Sequence, residues 1–279
     1  MNANRAVGIQ WPSFQGQAVL VGTSRSGRVT VYVDPTLGQP GQQNAHDLLA
    51  DADRVVQAND QFFGASAGSV NVIVFALGGA TDGTGGADHM GCDYVVGNNI
   101  EVCAAFGNSM RVSALFEAEL SECNMGGNLC GVSTGEALSR WCAASVSNNA
   151  LGDFATAPTW FNDGAPDFVS KTEPTDGSAD STGCGMAFIS WLMSQSIALG
   201  TIGRGLVALG AGGTFAQLYG TLTGKDPNAA WPTFISAVKS LSGGVTSDDP
   251  FGAMKSVQSA LAAIRPLSHR LQLPSKQRQ

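Results

Sequence analysis

The chain has 279 residues, 43% of them hydrophobic and only 13% charged, with a net charge of −7. That hydrophobic share excludes an intrinsically disordered chain. The acidic balance, with no basic cluster before Arg265, excludes a nucleic-acid-binding groove.

The first elements alternate. Residues 17–22 and 28–34 read as strands, because Val29, Val31 and Val33 alternate with Thr30 and Tyr32. Residues 35–42 form a turn-rich loop. Residues 44–63 read as an amphipathic helix carrying Leu48, Leu49, Ala52, Val55, Val56 and Phe62 at helical spacing. The unbroken apolar run over 70–77 is a central strand, and the Gly/Thr/Asp-rich stretch 78–88 forms no regular element. Residues 92–95 and 100–104 flank Gly97-Asn98-Asn99, which signals a hairpin.

From Val112 the pattern becomes helical, with helices expected over 112–125, 134–147, 184–197, 202–209, 214–222, 231–241 and 251–264. The stretch Met186 to Ala211 is apolar but broken by Gln195, Arg204 and several glycines, so it reads as buried helix and not as a membrane span. Residues 148–181 form a long polar insert with Pro158, Pro166 and Pro174; such loops are functional or partly disordered. The fold class is therefore α+β. An N-terminal α/β subdomain over 1–111 carries a small mixed sheet with a helix, a mostly helical subdomain covers 112–264, and a solvated basic tail covers 265–279.

Six cysteines, Cys92, Cys103, Cys123, Cys130, Cys142 and Cys184, allow three disulfides in any of about fifteen connectivities. Across the expected hairpin Cys92 and Cys103 stand opposite each other, so an oxidised chain should bridge them. A cytoplasmic location is expected if Met1 is the natural start, and a secreted one if a leader has been removed.

The chemistry-bearing residues concentrate on two of the helices. In the first, Leu115, Ala118, Glu119 and Glu122 recur at three- and four-residue steps and share one face, while Glu117 and Ser121 lie elsewhere. Two carboxylates on a half-apolar face need a partner or a cleft, and Arg111 and Arg140 are candidate partners. In the second helix Glu136 and Arg140 stand four apart, in the favourable order for an ion pair. Ser133-Thr134-Gly135-Glu136 matches a capping box, which places Ser133 or Thr134 at the N-cap and gives Glu136 a structural use. His89, within Gly85-Gly86-Ala87-Asp88-His89-Met90-Gly91-Cys92-Asp93, is the natural proton-transfer group, with Asp88 or Asp93 to orient it.

Ala118-Glu119-Leu120-Ser121-Glu122 followed by Gly135-Glu136-Ala137-Leu138-Ser139, in an α/β-then-α layout, resembles the gluzincin metallopeptidases of thermolysin and aminopeptidase type. The resemblance implies a cleft between the two halves. It sets Glu119 at the general-base position, Ala118 and Glu122 at the two zinc-histidine positions and Glu136 at the third-ligand position. Both histidines are missing, so no conventional zinc site and no cofactor are expected; carboxylates alone suit a harder cation such as Ca²⁺, Mg²⁺ or Mn²⁺. The expected site residues are Glu119, Glu122, Glu136, His89 and Arg140. Three functions fit: a divergent, peptidase-like hydrolase, a catalytically inactive pseudoenzyme that binds a peptide or small molecule in the cleft, and a structural or assembly protein. No nucleic-acid or membrane partner is expected, and the sequence leaves the oligomeric state open.

Overall fold

A computed structural model describes residues 9–66, 68–77, 81, 85–91 and 98–255 of the protein. The alternating segments become β1 (Val19–Thr23) and β2 (Val29–Val33), paired antiparallel with an irregularity between Leu20 and Gly22. β3 (Val70–Phe75) lies parallel to β2. β4 (Ala87–His89) forms one edge, antiparallel to β5 (Asn99–Cys103), with Asp88 opposite Glu101. β5 in turn runs parallel to β3, so the sheet order is β1-β2-β3-β5-β4, parallel in the centre and antiparallel at both edges.

Two local expectations change here. Residues 78–88, expected to be irregular, end inside β4, and β4 is the antiparallel partner of β5. The first arm of the expected hairpin, residues 92–95, lies outside the described residues. The chain enters β4 through Gly85, where a Cβ would lie 2.2 Å from the Cys103 sulfur. Cys103 therefore packs under the incoming strand as a buried thiol, and the expected Cys92–Cys103 bridge is not made. Among the described residues Cys130 is disulfide-bonded; Cys92 lies outside the described residues.

The helix α1 (Gly38–Phe63) starts six residues before its expected position. The Asp34 carboxylate accepts from Thr36 N and caps a 3₁₀ turn at Pro35–Leu37. Pro40 then falls in the first helical turn, where amide hydrogens have no intrahelical partner and a missing one costs nothing. One sheet face packs Val29, Val31, Val72, Val74, Ile100 and Val102 against Leu48, Ala52 and Val55 of α1 and against Val112, Leu115 and Phe116 of α2 (Ser109–Met125). The other face packs Tyr32, Ile73 and Phe75 against Trp11 and Phe14. Glu101, fully buried, is satisfied there by Ser13 N, Ser13 Oγ and Phe14 N at 2.6–3.0 Å.

The helical part comprises α3 (Ser133–Ser147), α4 (Ala157–Asn162), α5 (Ala179–Ser194), α6 (Leu199–Leu209), α7 (Phe215–Thr223) and α8 (Ala230–Lys239). Its core is aromatic: Trp160 stacks on Phe234 at 5.7 Å, and Phe188 contacts Trp191, Phe215 and Phe234 at 5.1–5.3 Å. The polar insert 148–181 is more ordered than its composition implies, because α4 lies within it. The Asp248 carboxylate reaches across the chain to accept from Thr156 N and Ala157 N, satisfying the start of that short helix. The last expected helix falls largely, and the basic tail wholly, outside the described residues. Among the described residues no helix is long and apolar enough to cross a membrane.

One buried group couples this packing to pH. Glu117 of α2 is fully buried; its Oε1 accepts from Asn59 Nδ2 at 3.1 Å and Ser121 Oγ at 3.2 Å, and its Oε2 has no hydrogen-bond partner. Burial pushes its carboxyl up from 4.5 to about 8, against the opposing pull of Asn59 and Ser121. Between those two values the folded state holds a proton that the unfolded state has released, so stability falls as pH rises through that window. Glu117→Gln removes the titration and keeps the shape. It should leave the melting temperature near wild type below pH 5 and raise it at pH 9, where the wild type loses a few kcal/mol. Thermal unfolding of both proteins across pH 5–9 tests this; parallel curves would contradict it.

Candidate functional site: a carboxylate cavity between an edge strand and two helices

The period of α2 brings Leu115, Ala118, Glu119 and Glu122 onto one face, and that face lines a cavity of about 330 Å³. Glu136, Arg140 and Ala144 line it from α3, four residues apart each time. Asp88 and His89 enter from β4, the edge of the sheet nearest α2. All five residues singled out in the sequence thus meet at one cavity. Asp176, Asp248, Asn149, Phe154 and Met186 also line it, with Gly86, Ala87 and Leu151.

The first helix is anchored by Asn108, whose side chain accepts from Arg111 N, and it stops at Gly126. The connection to α3 is tight: a Cβ on Gly135 would lie 2.1 Å from the Leu129 carbonyl oxygen, so glycine is required for the loop to sit against the helix. That close approach carries Cys130 to within 3.8 Å of His89 Nε2. The expected capping box does not form. The N-cap is Val132, and Ser133 Oγ donates instead to the Glu173 carbonyl at 3.2 Å. Glu136 is left to pair with Arg140.

His89 is the hub. Its Nδ1 contacts the Gly91 carbonyl, and its Nε2 lies 3.1 Å from Glu122 and 3.8 Å from Glu119. The ring is therefore oriented by a backbone carbonyl and by Glu122. Asp88 accepts from the His89 backbone amide at 2.8 Å and not from the ring; Asp93 lies outside the described residues. Glu122 also accepts from Ser139 Oγ at 3.3 Å. Glu136 pairs with Arg140 Nε at 2.6 Å, and Arg140 Nη1 donates to the Phe154 carbonyl at 2.6 Å. Among the described residues Nη2 of Arg140 makes no hydrogen bond. Arg111 turns away from the site to Asp153, at 2.5 Å, and lies over the Phe154 ring. Neither arginine pairs with Glu119.

The electrostatics follow from that census. Six carboxylates line the cavity, with Arg140 and His89 as the only basic groups among its lining residues. Burial, reinforced by Glu122, Glu136, Asp88 and Asp176, holds the Glu119 carboxyl well above the usual range. Burial likewise raises Glu136 to about 7: the Arg140 charge opposes the shift, and Glu122 adds to it. For His89, burial works against the charged form, but the hydrogen bond and charge of Glu122 outweigh it and raise its pKa. Burial and neighbouring carboxylates therefore push Glu119 toward its protonated form, beside the hydrogen-bonded His89–Glu122 pair. Proton donor and proton acceptor share one space, which is what general acid–base chemistry needs.

Among the described residues one group of side chains could hold a metal ion: a His89 nitrogen, a Glu122 oxygen and the Cys130 sulfur lie within 4.8 Å of one another. The sulfur belongs to a disulfide, and a disulfide sulfur is not a thiolate ligand. Cys130, Asp176 and Asp248 were not marked as site residues by the sequence. All three sit on irregular segments without periodicity, and only the Ser247-Asp248-Asp249-Pro250 turn pattern hints at one of them.

No protein-family model matches this chain, and a search of curated proteins likewise finds no match.

Proposed function

We propose that the protein is a hydrolase-like enzyme of gluzincin-like topology that cleaves an acyl bond of a peptide or small molecule by acid–base chemistry. The single observation that carries the reading is the Glu119 carboxyl, pushed toward its neutral form by burial, standing 3.8 Å from a His89 nitrogen that is itself hydrogen-bonded to Glu122. The gluzincin likeness is supported by an edge strand, a helix with Glu119 and Glu122, and a following helix with Glu136 around one cavity. Zinc as that family holds it does not fit. Ala118 supplies no donor at the first ligand position, and the sulfur nearest His89 is oxidised.

In this reading the roles shift from those the motif implies. The His89–Glu122 pair takes the proton of a water as its oxygen attacks the substrate carbonyl. Arg140 Nη2 donates to the resulting oxyanion. Glu119 enters as the acid, giving its proton to the leaving group as the acyl bond breaks. Transfer of the captured proton from the pair back to Glu119 resets the site. The Glu136–Arg140 ion pair holds the guanidinium in place.

A broad screen of peptide, amide and ester substrates tests this. Glu119→Gln keeps the shape and removes the proton. It should lower kcat by about 10²–10⁴-fold, with little change in KM and a melting temperature equal to or above wild type, because a buried acid among other carboxylates is relieved. The second reading, a ligand-binding pseudoenzyme, is favoured by Ala118; it predicts saturable binding with no turnover in any arm of the screen. Protein purified with its disulfide intact and without added metal should contain well under one equivalent of zinc by elemental analysis. Chelators should leave its melting temperature unchanged. Stoichiometric zinc in that preparation would overturn the metal-independent mechanism.

A further inference from the structure

We infer that opening the Cys130 disulfide creates a transition-metal site from His89 Nε2, a Glu122 carboxylate oxygen and the Cys130 thiolate, so that the cavity binds zinc only in its reduced state. The inference does not depend on turnover.

Three observations meet here. The first is spacing. A tetrahedral zinc ion with bonds of about 2.0–2.3 Å holds its donors roughly 3–4 Å apart. His89 Nε2 lies 3.1 Å from Glu122 and 3.8 Å from the Cys130 sulfur. The second is orientation. The other ring nitrogen of His89 faces the Gly91 carbonyl, the type of outer contact that fixes the tautomer of a metal-bound imidazole and leaves Nε2 for the metal. The third is rigidity. His89 is held in a sheet strand, Glu122 in α2, and Cys130 by the loop that Gly135 presses against Leu129. Three donors on fixed backbone thus stand within 4.8 Å of one another, with His89 Nε2 already at bonding separation from the other two. Glu119, 3.8 Å from the same nitrogen, is placed for the fourth position.

A dithiol reductant supplies two electrons and two protons to the S–S bond and leaves as a cyclic disulfide; Cys130 and its bridge partner become thiols. Zinc then displaces the thiol proton of Cys130 and the proton shared by His89 and Glu122, and both protons go to buffer. Nitrogen, oxygen and sulfur donors together suit zinc, whereas the oxidised site offers no sulfur ligand. Cys130 is half-buried and so within reach of a reductant. Cys103, Cys123, Cys142 and Cys184 are all buried away from the surface.

The test uses the full chain in two states, disulfide-intact and dithiol-reduced, the second freed of reductant under nitrogen. Each is titrated with Co²⁺ and with Zn²⁺. The reduced protein should bind one equivalent and show tetrahedral cobalt bands with a thiolate-to-cobalt charge-transfer band; the oxidised protein should bind at least tenfold more weakly and lack that band. Cys130→Ser should abolish the band. His89→Ala, which leaves the disulfide intact, should weaken metal binding to the reduced protein at least tenfold, and keeps the test decisive should the cysteine variant fold poorly. Equal binding in both states, a charge-transfer band that survives Cys130→Ser, or loss of the far-UV circular dichroism on reduction would overturn the inference.

Discussion

Glu119, Glu122 and Glu136 are brought by α2 and α3 around one small cavity, and carboxylates this close and this buried cannot all be ionised. Everything chemical about the site follows from how that repulsion is relieved. Arg140 pairs with Glu136, His89 and Ser139 hydrogen-bond Glu122, and Glu119, 3.8 Å from the same His89 nitrogen, is pushed by burial and its neighbours toward its protonated form. The result is three glutamates of the same intrinsic acidity in three different electrostatic environments. Environment alone separates them, and the proposed roles of acid and base rest on that separation.

The fold supports this arrangement from both sides. β4 is only three residues long, yet its pairing with β5 fixes where His89 meets α2. Behind it, Gly85 lets the chain pass over Cys103, and Arg111 ties the start of α2 to Asp153 and to the Ala150 carbonyl. On the far side, α3 is buried along most of its length against α5, through Trp141 Nε1 donating to the Met186 carbonyl. Neither helix can rotate its glutamates out of the cavity without disrupting one of the two large hydrophobic clusters. Repulsion at the site is therefore held by packing elsewhere, a common way for functional groups to be kept in unfavourable company.

Much of this was legible in the sequence, and the reasons are specific. Period two in Val29, Val31 and Val33, and period 3.6 in Leu115, Ala118, Glu119 and Glu122, are set by backbone geometry, so strands, helices and the shared glutamate face could be read directly. The capping box at Ser133 failed because the motif specifies only which residues could bond. The Glu173 carbonyl and Arg140 offered better partners, one from a distant loop and one from the next turn. The hairpin at Gly97-Asn98-Asn99 misjudged the antiparallel partner of β5, since a three-residue strand such as β4 carries too little pattern to be seen. Asp248 reaches Ala157 across ninety-one positions, and no local signal encodes so long a contact. The proximity of Cys130 to His89 is likewise a product of tertiary packing at Gly135, not of spacing.

The proposed chemistry requires Glu119 to carry a proton at neutral pH beside the His89–Glu122 pair. Infrared difference spectroscopy between the wild type and Glu119→Gln at pH 7 reads this directly, because a protonated carboxyl has a carbonyl stretch that a carboxylate lacks. With Glu119 protonated, the difference spectrum shows loss of one protonated-carboxyl band, which shifts on exchange into D₂O. A difference spectrum showing loss of carboxylate bands alone would mean that Glu119 is ionised, and would contradict the assignment of acid and base on which the proposed chemistry rests.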